Sequence, residues 1–479
     1  MQKNLAKNSV FNILYKGCNV VYPMLVSAYI SRIFKASGVG QISLAINIIT
    51  YFTIAASLGL PNYAVKVLAG ARDVKEQLNR RFSELAIIVA CSSLGVSVLY
   101  YVSMLFYYGA GTDGYRIAMT LGLMLISNIF NYDWLYEAVE SFEFLAIRTV
   151  AIKLTALVDM FLLVKSKDDL LIYCLIYSLV TVANNLANGL HAHKYVHFTK
   201  KDLHFAHHMK PVMVLFAAAF ATELYTLLDS TMLGIMCPSE YLGYYSNASR
   251  VARAAYGVIF AATAVYNPRL GYIYTTGNRE DYKTCFQQYY NQAMFLAVPA
   301  AAGLFLLAKQ VVVVLFGTDF EPAGFTLRIL SILIIVFTLA TVFGHVPLVI
   351  YGKENVILVA TIIGAVTNFS INSLLIPHYM NNGAAIASVV SEVLVTAILM
   401  YGSTRVMRIH ILNNDIAAIA LATGAMTIVI ELLKQTLHSD LMCLLLCVIV
   451  GVLVYFIITT LMGNRLAKTI LAYVRRILS

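Results

Sequence analysis

Residues 61–75 read PNYAVKVLAGARDVK, and residues 268–283 read PRLGYIYTTGNREDYK. Each stretch ends an apolar run, and the two lie about 207 residues apart. Pro61 and Pro268, Gly70 and Gly277, and Arg72 and Arg279 keep identical offsets, with Lys75 and Lys283 close behind. Self-similarity on this scale is the mark of a duplicated unit. In a membrane chain, duplicated halves are typical of transporters, with the cargo site between them.

The composition requires a membrane. Of 479 residues, 60% are hydrophobic and 12% are charged, and the mean hydropathy is +0.77. A soluble domain carries roughly 25% charge. Apolar runs of about 20 residues read as spanning helices. These runs lack the period-two alternation of a β-barrel strand. About fourteen runs stand out, near 9–34, 39–60, 83–107, 115–136, 146–165, 169–190, 211–235, 241–265, 288–308, 325–350, 355–376, 383–402, 414–433 and 440–462. The expected fold is all-α and polytopic. Its expected divisions are a six-helix bundle over 1–190, a cytoplasmic linker over 191–210, a second six-helix bundle over 211–402, and two additional helices with a basic tail over 403–479. An even number of helices per half makes the repeat parallel. The connections are too short for a catalytic head, and 309–325 is the largest outer loop.

The net charge of +10 reads as positive-inside topology, with no nucleic acid partner. With the N-terminus inside, roughly twenty Lys/Arg fall on inner loops against about five outside. Both termini are then cytoplasmic. The first run contains Lys16 and reads as a retained span, not a cleaved signal. The seven cysteines are scattered without a CxxC, which suits buried small hydrophobes and no metal site. Six of the ten histidines, from His191 to His208, crowd the linker. They are expected on an interfacial segment at headgroup level, with a metal or pH-sensing cluster as the alternative. No Walker motif occurs, and no cofactor is expected. Transport would draw on a proton or sodium gradient, or on the gradient of the cargo.

Charges inside spans are costly and face a partner or a wet cavity. Lys16 shares a helix face with Asn19 and Pro23, and Arg32 closes the same run. The fifth run carries Arg148, Lys153 and Asp159; the seventh carries Glu223 and Asp229; the eighth carries Asn247, Arg250 and Arg253 at intervals of three. Together these suggest a cationic cavity for an anionic substrate, because the Arg fork suits phosphate. Asp229, Glu223 and Asp159 are expected to couple ions or to hold the arginines. The alternative for every charge is structural pairing or snorkelling.

Several segments then resemble a known family. They are Tyr29-Ile30-Ser31-Arg32 with Gly38, Gly40 and Leu58-Gly59-Leu60-Pro61; Asp133-Trp134-Leu135 leading to Ala146-Ile147-Arg148; Asp229-Ser230-Thr231-Met232-Leu233-Gly234 leading to Gly243-Tyr244-Tyr245; Pro268-Arg269; Phe316-Gly317; and Asn382-Gly383-Ala384-Ala385 with Glu392. In order and spacing this resembles the bacterial polysaccharide-biosynthesis flippases, of the multidrug/oligosaccharidyl-lipid/polysaccharide exporter superfamily. The resemblance covers roughly residues 1–410. It implies two six-helix bundles in a V around a central cavity. It also implies a non-enzymatic activity: moving undecaprenyl-diphosphate-linked oligosaccharide to the outer leaflet of the bacterial inner membrane, for O-antigen, capsule or exopolysaccharide. The implied partners are this lipid-linked oligosaccharide, membrane lipids and polysaccharide polymerase machinery. Lys16, Arg250, Arg253 and Arg32 would bind the diphosphate. The alternatives are a cation-coupled multidrug or metabolite exporter of the same fold and, against the short outer loops, a glycan polymerase or ligase.

The charge asymmetry predicts that a reporter fused at Lys200 is cytoplasmic and one fused within 309–325 is periplasmic. A periplasmic signal at Lys200 would overturn this topology.

Overall fold

Hydrocarbon offers a backbone no hydrogen-bond partner, so a chain this apolar must satisfy its peptide groups within helices. The computed structural model describes residues 5–277, 279–406, 410–469 and 471, and among these no strand occurs. The helices are α1 (Leu5–Ser57), α2 (Leu60–Ala71), α3 (Lys75–Tyr108), α4 (Asp113–Ser127), α5 (Asp133–Ala138), α6 (Phe142–Leu163), α7 (Leu170–Ala192), α8 (Ala206–Met236), α9 (Ser239–Thr263), α10 (Tyr266–Thr275), α11 (Arg279–Leu306), α12 (Ala308–Phe316), α13 (Ala323–Ala340), α14 (Val346–Ile350), α15 (Glu354–Val406), α16 (Asn414–Thr436) and α17 (Asp440–Leu461). A π-helical turn over Thr341–His345 joins α13 to α14.

Among the described residues, eight helices are long and apolar enough to cross a membrane, or nine if the bent pair α11–α12 is one span. α1 and α15 each contain one residue with non-helical backbone, Lys35 (φ 58°) and Met380 (φ 46°). Divided there, each supplies two of the expected runs. α4, α6 and α9 fall outside the apolar set for reasons visible in sequence. α4 has only 15 residues, α6 carries Glu143, Arg148, Lys153 and Asp159, and α9 is diluted by Arg250, Arg253 and polar neighbours. Every expected run therefore has a helix under it.

Both single-residue breaks use the same device. Three residues after each comes a glycine, Gly38 or Gly383. A Cβ on Gly38 would lie 2.7 Å from Phe34 Cβ, and one on Gly383 would lie 2.5 Å from the Leu375 carbonyl oxygen. Neither position has room for a Cβ, so only glycine's hydrogen fits there.

The duplicated prolines occupy similar places. Pro61 opens α2 and Pro268 lies in the first turn of α10, where the missing N–H costs nothing. Each short helix is followed directly by a long one, α3 or α11. The matched glycines differ: Gly70 is helical, whereas Gly277 follows α10 at φ +78°.

The contacts divide the chain into two units, Met1–Thr231 and Met232–Ser479. In the first unit α1 packs on α3, α4 and α6, and α7 packs on α4 and α6. A second core joins α2, α3 and α5 around Leu60, Leu68, Phe82 and Trp134. In the second unit α13 packs against α9, α11 and α15, and α16 packs against α11 and α17. The pair α16–α17, which lies outside the sequence repeat, joins the main core through Ile419, Met426, Cys447 and Tyr455.

Three local expectations change. The segment 309–325 is not one loop: α12 occupies 308–316 at 74° to α11, because Val311–Leu315 is itself apolar. The fourth run stops at Ser127, where a 3-10 turn begins and Asn128 donates to Ser93 Oγ at 2.9 Å. Of the cysteines in apolar runs, Cys174, Cys443 and Cys447 are buried as expected, Cys18 is half-buried and Cys91 is exposed.

Gly383→Val should lower folded protein in the membrane, since overpacking typically costs about 1–3 kcal/mol. Gly95→Ala, where an added Cβ meets nothing within 4 Å, should not. Membrane abundance and thermal unfolding in detergent compare the two.

Candidate functional site

The first unit holds two polar clusters that differ in how charge is balanced. On α6, Arg148 has a side chain only 6% exposed and donates to Asp133 Oδ1 at 3.0 Å. Asp133 opens α5. Asn188 of α7 closes the triangle, accepting from Arg148 through its amide oxygen and donating to Asp133 Oδ1 at 2.8 Å. Tyr136 donates to the Asn188 carbonyl at 2.6 Å, and the guanidinium sits 5.5 Å from the Phe144 ring centre. This network ties α5, α6 and α7 together. Arg148 is thus a structural pair, and its partner Asp133 was not among the acids expected to hold arginines.

Farther along α6, Lys153 Nζ donates to Asn19 Oδ1 of α1 at 2.5 Å and lies 5.1 Å from the Tyr22 ring centre. Asp159 is half-buried on the same helix. Lys16 is on α1, three positions before Asn19, with its side chain outside the described residues. Arg32 is exposed near the end of the first half of α1. Asp229 is buried on α8, beside Ser230 and Thr231, which bond Asn47 and Tyr51 of α1 at 2.8 and 2.9 Å. Glu223, on the same helix, lines a cavity of about 520 Å³ with Ser57, Pro61, Asn62 and Thr222.

A second cluster fixes the linker. Glu84, fully buried on α3, faces Arg80 at 3.2 Å and Arg81 at 3.4 Å. It accepts from the His204 backbone N–H at 2.8 Å and from His208 Nε2 at 3.0 Å. His208 Nδ1 in turn accepts from the Tyr63 hydroxyl at 2.8 Å. Asn79 and Ser83 accept from the backbone N–H groups of His197 and Thr199. The linker is therefore strapped to α3, and His208 is fully buried there. Glu84, His207 and His208 offer ligand atoms within 4.8 Å of one another. Two guanidiniums already neutralise the only carboxylate, however, and both His208 nitrogens are engaged. That donor set suits hydrogen bonding better than a dication. Outside the spans, Glu140 holds the Arg72 guanidinium above its ordinary pKa through a 2.7 Å contact. Both groups are exposed, so this pair adds little stability.

In the second unit, Arg250 and Arg253 occupy one face of α9. Arg250 donates to Asn247 Oδ1 and Arg253 to Ser249 Oγ, both at 3.3 Å. Arg253 is exposed and lies 6.0 Å from the Phe337 ring centre. No carboxylate among the described residues pairs with Arg253. Tyr245 bonds Ser388 at 3.0 Å and Tyr256 bonds Thr341 at 2.6 Å. A groove of about 440 Å³ between α11 and α16–α17 is almost wholly apolar, lined by Pro299, Gly303, Met426 and Cys447.

With this geometry in place, the chain can be set beside known proteins. The family model described as polysaccharide biosynthesis protein matches residues 5–273, more than half of the chain. The chain belongs to that family. A putative O-antigen transporter of Shigella dysenteriae is 21% identical over 412 residues, covering 83% of this chain and 99% of that protein. The inward closed structure of lipid II flippase MurJ aligns at TM-score 0.68 and 16% identity, over 92% of this chain and 99% of MurJ. An inward-facing multidrug resistance MATE transporter aligns at TM-score 0.58 and 15% identity, over 82% and 94%. The fold is thus the all-helical, multi-pass one that MurJ and MATE transporters share.

Arg148→Ala should destabilise the protein by about 3 kcal/mol, somewhat below the cost of breaking a fully buried pair because Asp133 is 34% exposed. Arg148→Leu combined with Asp133→Asn removes both charges and should recover part of the loss. Equal unfolding temperatures for the single and double variants would show that no unpaired carboxylate is left behind.

Proposed function

We propose that this protein is a flippase for undecaprenyl-diphosphate-linked oligosaccharide, carrying repeat units to the outer leaflet by alternating access for O-antigen, capsule or exopolysaccharide assembly. The observation that carries this reading is membership of the polysaccharide biosynthesis family, extended by the O-antigen transporter alignment along nearly the whole of that relative. The bacterial inner membrane, cytoplasmic termini, absence of catalysis and a downstream polymerase partner follow from the same reading.

The chemistry suits the cargo. A diphosphate needs cationic ligands. Arg250 and Arg253 supply two forks steadied by an amide and a hydroxyl, with Lys16 and Arg32 as further ligands. The apolar groove beside α16–α17 offers the polyprenyl chain a surface of matching polarity. Asp229 and Glu223 are the proposed sites of proton or sodium coupling. The MATE-like fold leaves a cation-coupled multidrug or metabolite exporter as the second reading, but Arg253, with no paired carboxylate among the described residues, favours anionic cargo.

Deleting the gene should abolish the surface glycan and trap lipid-linked repeat units on the cytoplasmic leaflet. Arg250→Ala or Arg253→Ala should reduce flipping while membrane abundance holds. Each lost charge-assisted contact costs roughly 1.5–3 kcal/mol of binding. Arg→Lys should recover only part, because the bidentate fork is lost. Normal surface glycan in the double alanine variant at matched abundance would sink this assignment.

A further inference from the structure

The second unit holds a polar cavity of about 560 Å³ that the cargo reading does not use. Glu280 and Lys283 line it from the start of α11, Asp415 from the first turn of α16, and Arg465 from just beyond α17. Leu466 is the one aliphatic residue of its wall among the described residues. A second cavity, of about 520 Å³, shares Asp415 and Arg465 with it.

Neutral amides hold this wall in place. Gln287 of α11 pairs with the His410 backbone in both directions: its Nε2 donates to the carbonyl at 3.0 Å, and its Oε1 accepts from the N–H at 3.1 Å. Asn291, one turn farther on, donates to Asp415 Oδ2 at 2.9 Å and accepts from Asn413 Nδ2 at 3.0 Å. Asp415 Oδ1 accepts from the Arg465 backbone N–H at 3.4 Å. Main chain, not guanidinium, therefore meets that carboxylate. Among the described residues, none of Glu280, Lys283, Asp415 and Arg465 forms an ion pair. Exposed charges are often unpaired. Here, however, two of each sign share one cavity and are kept apart.

The position of the cavity narrows the ligand. α16 and α17 are both long and apolar enough to span a membrane, and α11 with α12 forms a bent pair that also qualifies. Asp415 is the second residue of α16, and Arg465 is the fourth beyond the end of α17. The ends of apolar spans lie at headgroup level, and polar pockets between spans take lipid headgroups. With His410 neutral, the charges of the wall cancel, so it does not select an anionic lipid. A zwitterion matches both signs. A primary ammonium brings three N–H donors to carboxylates, and its phosphate accepts from Lys and from the Arg fork.

We propose that this cavity binds the headgroup of phosphatidylethanolamine, with the ammonium on Asp415 and Glu280 and the phosphate on Lys283 and Arg465. This lipid site is independent of the cargo.

The test is native mass spectrometry of the full chain in detergent. The separate probes are phosphatidylethanolamine, phosphatidylcholine, phosphatidylglycerol and water-soluble glycerophosphoethanolamine. Wild type should bind phosphatidylethanolamine about 10-fold or more tighter than phosphatidylcholine, which has the same phosphate but no N–H on its ammonium. That ratio is the equivalent of one charge-assisted contact. Glu280→Gln and Asp415→Asn should each remove most of this preference, whereas Lys283→Gln should weaken both lipids. Glu280 is exposed, so its variant keeps the test decisive if Asp415→Asn fails to fold. Asp113→Asn, at an exposed acid of α4, should change nothing. Equal affinity of wild type for phosphatidylethanolamine and phosphatidylcholine overturns the proposal. So does a preference that survives in Glu280→Gln, which places the lipid elsewhere. Phosphatidylglycerol binding as tightly as phosphatidylethanolamine reduces the effect to surface charge and overturns it. Glycerophosphoethanolamine binding as tightly as the lipid makes the ligand a soluble zwitterion and overturns it too.

Discussion

A charge in hydrocarbon must be neutralised, hydrogen-bonded or brought to water, and this protein is organised around that requirement. Arg148, Asp133 and Asn188 solve it within one triangle that joins three helices. Glu84 solves it with two arginines and a histidine, and in doing so fixes the linker. Lys153 and Arg253 do not solve it with carboxylates. Folding therefore leaves Lys153 and Arg253 without a carboxylate partner among the described residues, in contrast to Arg148 and Glu84.

Much of the fold was legible because lipid simplifies the code. Each apolar run had to become a helix, and each did. Pro61 and Pro268, read as the ends of apolar runs, each lie in the first turn of a short helix that follows, a position proline tolerates. The echo of Gly70 in Gly277 was less telling, because glycine accepts either a helical or a left-handed backbone. The bend at α11–α12 was missed for a physical reason. Lys309 and Gln310 mark an interruption in hydropathy, but polarity alone does not distinguish a loop from a kink between two helical segments.

The site was legible in its residue types and much less in its pairings. Arg148, Lys153, Arg250 and Arg253 stood out as intramembrane charges. Their partners depend on which helices meet, and a single chain does not display that. Asp133 lies outside the apolar core of its run, so it did not register as a membrane acid, although its segment and that of Arg148 were linked by family resemblance. The linker histidines were read as one composition, which does not distinguish His208 from its neighbours. Only the approach of α3 singles out one of them for burial.

The strap on α3 also changes what the linker is. A polar, histidine-rich segment between duplicated halves resembles a seam at which a gene could be divided or a tag inserted. Here its backbone N–H groups at His197, Thr199 and His204 are already committed to Asn79, Ser83 and Glu84. A protease needs an unengaged stretch of backbone to thread its cleft, and this stretch is held down. A chain severed at the linker would leave Glu84 with two arginines and no histidine. The natural joint of the molecule therefore does not coincide with the most polar part of its sequence.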